Sequence, residues 1–268
     1  MRTPITYYGG KQNMLQHLLP LIPEHKIYVE PFVGGGALFW AKPPSYMEAI
    51  NDINGMVINF YQTIVSDFEA LNERIQNTLY SEEIFFNSQK IYQFPEGYSY
   101  VDKAWAFWMC TNYAFSGKIG GGWKWCNGTG GSHTGIFFCG KKKEFTDAIL
   151  HRLEKVQISC RDAQVVMDNR NTPDTLVYLD PPYPGSDQGH YKGYTFGHLQ
   201  NLLIQMETFK GKFILSNYPS EMMDEAILRN KWFSYAFDKR LSGCRTPEIM
   251  RRKTEMIVTN YQINNLFS

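Results

Sequence analysis

The run Thr175-Leu176-Val177-Tyr178-Leu179-Asp180-Pro181-Pro182-Tyr183 decides how this chain folds. Its first five residues are apolar, β-branched or aromatic and follow the turn-forming Asn171-Thr172-Pro173-Asp174, so they read as a buried parallel strand. Ligands of open α/β sheets bind just past the carboxyl ends of the strands. The Asp180 carboxylate therefore emerges where chemistry is expected. Pro181 and Pro182 then remove backbone freedom and two N–H donors, and Tyr183 adds a ring. A carboxylate, a fixed carbonyl and a stacking ring form a holder for a planar, amino-bearing base. Asp and Pro are also ordinary turn residues, and the tetrapeptide alone is compatible with a plain strand-ending turn.

Working outward, strands are expected at 26–30, 46–50, 156–160, 176–179, 212–216, 232–237 and 255–260. Helices are expected from the second strand to about 66, and at 198–209 and 220–228. Strands alternating with helices predict an α/β fold, with helices on both faces of the sheet. The stretch 67–153 breaks the rhythm with helices at 67–78, 82–91 and 101–114, followed by a Gly-rich aromatic loop from Phe115 to Gly131. It reads as a mainly helical domain inserted between 1–66 and 154–268. Long loops rich in Trp, Phe, Lys and Gly point to function.

The 268 residues are 43% hydrophobic and 15% aromatic, ample for a core carrying an insertion. No run reaches the length of a membrane span, and no apolar leader follows Met1-Arg2-Thr3-Pro4, so neither a membrane nor secretion is expected. Five cysteines without a C-x-x-C pair suggest reduced thiols, with no zinc site. The net charge of +1 means that a polyanionic partner must be met by local positive charge.

Gly34-Gly35-Gly36, between a strand and a helix, lets backbone approach a ligand but lacks the spacing of a pyrophosphate-binding turn. Glu30 and Asp52 end neighbouring strands, and Asp52 can accept the two hydroxyls of a ribose. Acidic strand ends without a phosphate cradle suit a phosphate-free nucleoside such as S-adenosylmethionine. The alternatives, a tight turn and an N-cap at Asp52, carry equal weight for each feature alone.

With these residues in view, the chain resembles the Dam-type, D12-class N6-adenine DNA methyltransferases in their alpha arrangement. The resemblance rests on Tyr7-Tyr8-Gly9-Gly10-Lys11-Gln12, on Val29-Glu30-Pro31-Phe32-Val33-Gly34-Gly35-Gly36-Ala37-Leu38-Phe39 and on Val177 to Tyr183, in that order. Phe213-Ile214-Leu215-Ser216-Asn217 and Lys253-Thr254-Glu255-Met256-Ile257 extend it over almost the whole chain. It implies a Rossmann-like methyltransferase sheet, mostly parallel with an antiparallel strand, and S-adenosyl-L-methionine as cofactor without a metal. It implies that Tyr7, Gly9, Gly10 and Lys11 approach the donor, that Glu30, Phe32 and Gly34 line its methionine end, and that Asp52 and Ile53 hold its ribose and flank its adenine. Asp162 and Ala163 match the position reading the adenine edge, where a solvated residue opening a helix is the plain alternative. Asp180, Pro181, Pro182 and Tyr183 carry the chemistry on the exocyclic amine.

The insertion resembles the family's target-recognition hairpin through Asn112-Tyr113-Ala114-Phe115-Ser116-Gly117-Lys118, with Phe115 at the aromatic position that enters the base stack. Asn112, Ser116, Lys118, Lys124, Lys141, Lys142, Lys143, Arg245, Arg251 and Arg252 are the candidate DNA contacts. Ser116, Lys118 and Gly120 depart from the set expected of an enzyme reading GATC. The expected partner is double-stranded DNA in a bacterial cytosol, or a phage-infected one, with room for a separate restriction endonuclease. Single-stranded DNA or RNA methylation, a nicotinamide-dependent oxidoreductase and a silent DNA-binding homologue are the competing readings. Cytosine-amine and glutamine-amide methylation start the motif with Ser and Asn, and Asp180 opposes both.

Overall fold

A computed structural model describes residues 1–128, 133–185, 193–240 and 252–263. The chain runs through α1 (Leu15–Leu18), β1 (Ile27–Glu30), α2 (Ala37–Ala41), β2 (Met47–Asn51), α3 (Gly55–Ser66), α4 (Phe68–Gln76), α5 (Glu82–Gln93) and α6 (Tyr100–Tyr113). It continues through α7 (Thr134–Glu144), α8 (Asp147–Leu153), β3 (Val156–Ser159), α9 (Ala163–Asp168), β4 (Thr175–Leu179), α10 (Phe196–Glu207), β5 (Lys212–Asn217), α11 (Glu221–Asn230), β6 (Phe233–Arg240) and β7 (Arg252–Thr259). The seven-stranded sheet has the order β3-β2-β1-β4-β5-β7-β6. β1 pairs in parallel with β2 and β4, and β4 with β5, whereas β7 is antiparallel to β5 and β6. This is the mostly parallel, Rossmann-like α/β sheet expected from the sequence.

The chain divides into two compact units. One comprises Met1–Leu15, Gly34–Pro44 and Asp52–Cys160, and the other Gln16–Val33, Ser45–Asn51 and Arg161–Ser268. In the second unit all five residues of β4 are buried, which explains why its sequence is apolar without alternation. The side chains of neighbouring strands nevertheless alternate between two faces. Val29, Ala49, Val177, Leu179, Phe213, Leu215, Met256 and Val258 join Val166, Leu202, Leu203, Met206 and Met223 of α9, α10 and α11 in one apolar core. The alternating positions bury Glu48, Tyr28, Glu30, Tyr178, Ser216 and Glu255. One sheet face is thus oily, and the other sets buried phenols and carboxylates among the aliphatic side chains of Ile50, Leu176, Ile214 and Ile257.

The first unit is built on α6, whose residues from Ala104 to Tyr113 are all buried, as befits a central helix that is apolar on every side. Ser99 and Asp102 close a capping box at its start. Phe60 and Phe107 rings meet at 5.7 Å, and Trp108 and Tyr113 rings at 5.4 Å. The sequence reading gave no elements where α7 and α8 stand. α7 contains Gly135 and Gly140 and ends in a lysine run, so its pattern was weak; His133 caps its first turn and the lysines sit at its favourable C-terminal end. β6 and β7 also run further than expected, through polar residues that lack a strand pattern. Among the described residues, no helix is long and apolar enough to cross a membrane.

Gly211, just before β5, sits against the backbone leading into β4. A Cβ there would lie 2.4 Å from the Thr175 carbonyl oxygen and 2.8 Å from that of Thr172. Gly211→Ala is therefore expected to lower unfolding stability by about 1–3 kcal/mol in urea denaturation. An unchanged midpoint would show that this strand entry yields without cost.

Candidate active site

Asp180 is partly buried at the carboxyl end of β4, one residue beyond its last ladder position. The Tyr183 hydroxyl lies 3.0 Å from Asp180 Oδ1 and 2.8 Å from Oε1 of Glu255, a residue of β7 that is 1% exposed. The Tyr218 ring packs edge-on against Tyr183 at 4.5 Å. Burial pushes the Tyr183 phenol well above its ordinary pKa, and the Asp180 and Glu255 charges push it further, so it stays a protonated donor. Pro181 is buried and Pro182 partly so. Next to them, the Tyr178 hydroxyl is 3.2 Å from Ser216 Oγ.

Glu30 ends β1 almost wholly buried and accepts a short hydrogen bond from the Tyr28 hydroxyl. The turn that follows is held by Asn51, a residue that the sequence reading did not single out. Its buried side-chain amide donates to the carbonyls of Pro31 and Arg161, each at 2.9 Å, and its Oδ1 accepts from Arg161 N at 2.9 Å. Its own carbonyl accepts from Val33 N at 2.8 Å. Phe32 meets the Tyr194 ring edge-on at 6.2 Å. Asp162 caps α9 by accepting from Gln164 N at 2.8 Å, with Ala163 buried behind it. The helix-opening alternative is therefore realised in the geometry, and the exposed second oxygen of Asp162 keeps acceptor sites.

In the other unit, Gly34 and Gly36 have φ of 44° and 63°, the left-handed region where glycine is favoured. The Tyr7 side chain fills the space beside the turn: a Cβ would come within 2.8 Å of it at Gly34 and 2.7 Å at Gly35. Thr3 Oγ1 donates to the Gly35 carbonyl at 2.6 Å. Asp52, 1% exposed, accepts from Gly34 N and Asn54 N, each at 2.9 Å. It is not the N-cap of α3, which is Asn54. Ile53 beside it is an exposed apolar side chain at 64%. Gly9 has φ of 76°, Gly10 N donates to the Tyr7 carbonyl at 3.0 Å, and the buried Lys11 reaches the Gly9 carbonyl at 3.2 Å.

The loop after α6 is a built hairpin. Phe115 N donates to Gly122 O at 2.8 Å, Lys124 N to Tyr113 O at 2.9 Å, and Ala114 and Trp123 form an antiparallel bridge. Phe115 projects from it at 67% exposure, as does Trp125 at 64%. The Lys124 ammonium lies 4.4 Å from the Phe137 ring centroid, and Lys118 is partly buried near Tyr8. Ser116 sits in this hairpin's first turn. Asn112 is interior, with its amide holding Thr6 N at 2.9 Å and the Pro4 carbonyl at 3.3 Å. The lysine run points in separate directions: Lys141 reaches Thr3 O and Glu144, Lys142 reaches Thr78 O at 3.0 Å, and Lys143 is exposed. Burial lowers the Lys141 pKa. Arg252 opens β7, and Arg245 and Arg251 lie outside the described residues.

The family model for D12 class N6 adenine-specific DNA methyltransferases matches residues 7–242. Type II methyltransferase M1.LlaDCHI of Lactococcus lactis subsp. cremoris is 27% identical, over 94% of this chain and 93% of that protein. Retron Ec67 DNA adenine methylase of Escherichia coli is 24% identical, over 97% of this chain and 92% of its own. DNA N-6-adenine-methyltransferase of Escherichia phage P1 is 26% identical over 81% of this chain, which spans only 30% of that longer protein.

Asn51 is the side chain whose loss should disturb this region most cheaply in atoms. Asn51→Ala strips partners from buried backbone groups at Pro31 and Arg161, and is expected to cost about 2–4 kcal/mol of unfolding free energy. Chemical denaturation checks this; a cost below about 0.5 kcal/mol would mean that water replaces the amide.

Proposed function

Because this chain belongs to the D12 class N6 adenine-specific DNA methyltransferases, a family of S-adenosylmethionine-dependent enzymes, we propose that it methylates the exocyclic N6 amine of adenine at a specific site in double-stranded DNA. The observation that carries the reading is the Asp180 carboxylate at the end of β4, with one oxygen fixed by the Tyr183 hydroxyl at 3.0 Å. The amine of adenine is a poor nucleophile because its lone pair is delocalised into the ring. Asp180 accepts one amine hydrogen and the Pro181 carbonyl the other, which favours a pyramidal nitrogen with its lone pair localised. Pro182 stiffens the carbonyl, and Tyr183 lies against the base. When bound, S-adenosylmethionine supplies a methyl group on a sulfonium, already activated for transfer. The work left to the protein is alignment and a preorganised electrostatic environment.

The residues fit that donor by chemistry. The first unit offers Asp52 with its left-handed glycines and the second offers Glu30, groups whose chemistry suits a cationic nucleoside without phosphates. Asp52 is held by backbone N–H groups on both oxygens, and a carboxylate so fixed is the group suited to accept from ribose hydroxyls. The exposed Ile53 supplies an apolar wall for an adenine ring. Tyr7, Gly9, Gly10, Lys11, Phe32, Gly34, Asp162 and Ala163 complete the donor-binding set.

Duplex DNA hides the amine, so the base leaves the stack at a cost of a few kcal/mol. The exposed Phe115 on its hairpin is suited to fill the gap. Ser116, Lys118, Lys124 and the exposed Lys143 are the nearest candidates for base and phosphate contacts, with Arg245, Arg251 and Arg252 in addition; Lys141 and Lys142 contribute chiefly to helix packing. The residues 67–153 form the target-reading domain and the rest of the chain the catalytic one. The setting is a bacterial or phage-infected cytosol, and a restriction endonuclease is the companion to look for beside the gene.

Incubation with methyl-labelled donor and unmethylated genomic DNA, duplex or denatured, followed by digestion to nucleosides, is expected to put label in N6-methyladenine from duplex DNA. Label confined to cytosine, or to the denatured arm, would overturn the assignment. Asp180→Ala should lower single-turnover transfer by about 10²–10⁴-fold while donor affinity stays within about threefold. Near-normal turnover in that variant removes Asp180 from the chemistry.

Phe115→Ala should reduce 2-aminopurine fluorescence at the target position far more than donor binding. Equal losses in both would make it a packing residue. DNA affinity should fall steeply between 50 and 200 mM salt, roughly 10²–10³-fold for four or five phosphate contacts; a flat response removes the phosphate contacts.

A further inference from the structure

We propose that Glu255 is a positioning residue for the transfer, acting on Asp180 through the shared hydroxyl of Tyr183. This rests on the reading of Asp180 as acceptor of the amine hydrogen. Glu255 belongs to β7, antiparallel to β5, and lies 72 residues after Tyr183 in the sequence. It is 1% exposed, so its carboxylate is held in place of an apolar side chain at a considerable desolvation cost. Its Oε1 stands 2.8 Å from the Tyr183 hydroxyl, which stands 3.0 Å from Asp180 Oδ1.

A phenol on two single bonds from its backbone is not located by one hydrogen bond to a residue three positions earlier, because both ends move together. Glu255 supplies a fixed point from a different strand. The hydroxyl has one proton to donate, so both contacts are hydrogen bonds only where one of the two carboxyl groups is protonated. A protonated Glu255 donates to the phenol oxygen, and the phenol then donates to Asp180 and selects its rotamer. Tyr218, packed edge-on at 4.5 Å, blocks the ring from swinging away on that side. A carboxylate accepts along about four lone-pair directions, so the bond to Tyr183 fixes Asp180 without exhausting it as an acceptor. A reacting group displaced by an ångström loses roughly 10²-fold in rate, and that sets what the anchor is worth to turnover.

The test compares kcat, KM for DNA and donor dissociation constant in Glu255→Gln, Glu255→Leu, Tyr183→Phe and the double variant Tyr183→Phe/Glu255→Leu. Glu255→Gln keeps a hydrogen-bonding group of the same shape and should stay within about threefold of the parent kcat. Glu255→Leu and Tyr183→Phe should each lower kcat by about 10–100-fold, with KM and donor affinity changed less than about threefold. The double variant should be no slower than the slower single one, because both cut the same connection. A parent-like Tyr183→Phe, multiplicative losses, or Glu255→Gln as slow as Glu255→Leu would each overturn the proposal. If Glu255→Leu does not fold, Tyr183→Phe and Glu255→Gln still decide it. If the parent protein itself transfers no methyl to adenine, the functional reading fails instead. The anchor is then read without turnover from the ¹³Cζ resonance of Tyr183, which should hold in Glu255→Gln and move in Glu255→Leu; a resonance unmoved in both would refute it.

Discussion

The side-chain amide of Asn51 is the interaction on which the carboxyl end of the sheet depends. Three backbone segments must lie side by side there, and each has polar groups that no ladder satisfies. Asn51 takes up the Pro31 carbonyl, the Arg161 carbonyl and the Arg161 N–H with one planar group, and its backbone carbonyl adds Val33. An amide that both donates and accepts is the only kind of side chain that can do this without charge. Glu30 and Phe32 on one side and Asp162 on the other, which we propose as donor-binding residues, are the immediate neighbours of those segments.

The sheet itself divides the labour. Its apolar face packs on α9, α10 and α11 and supplies stability. Its other face buries Tyr28, Glu30, Tyr178, Ser216 and Glu255, which contribute little net stability and much orientation. Buried tyrosines suit this role because desolvation keeps their hydroxyls protonated, as it does for Tyr28, Tyr178 and Tyr183. Asp180 stands where the two faces end, with a rigid proline pair ahead of it and a phenol beside it.

The parts of this arrangement visible in the sequence were those written in local pattern. The β4 run, the glycines after β1 and the aromatic loop containing Phe115 each announce themselves by composition within ten residues or so, and the strands fell within a few residues of their expected positions. Asn51 and Glu255 carry no such mark. Asn51 looks like any strand-ending asparagine until Arg161, 110 residues away, is brought beside it. Glu255 lies in a stretch that extends the resemblance, yet alternation alone does not say which face of a sheet is polar inside, nor that its partner is Tyr183. The lysines of α7 show the opposite limit: three adjacent charges suggest one patch, but a helix turns each by about 100° from the last. Asn112, beside the exposed Phe115 in sequence, turned inward on the same principle.

Tyr7 completes the glycine turn with a side chain from further up the chain, and Asn112 holds the neighbouring Thr6 N–H from 106 residues beyond it. A contact between residues so far apart closes a long loop, which is costly in chain entropy until the segments around it are ordered. The order of the glycine turn is thus tied to that of α6 through one amide.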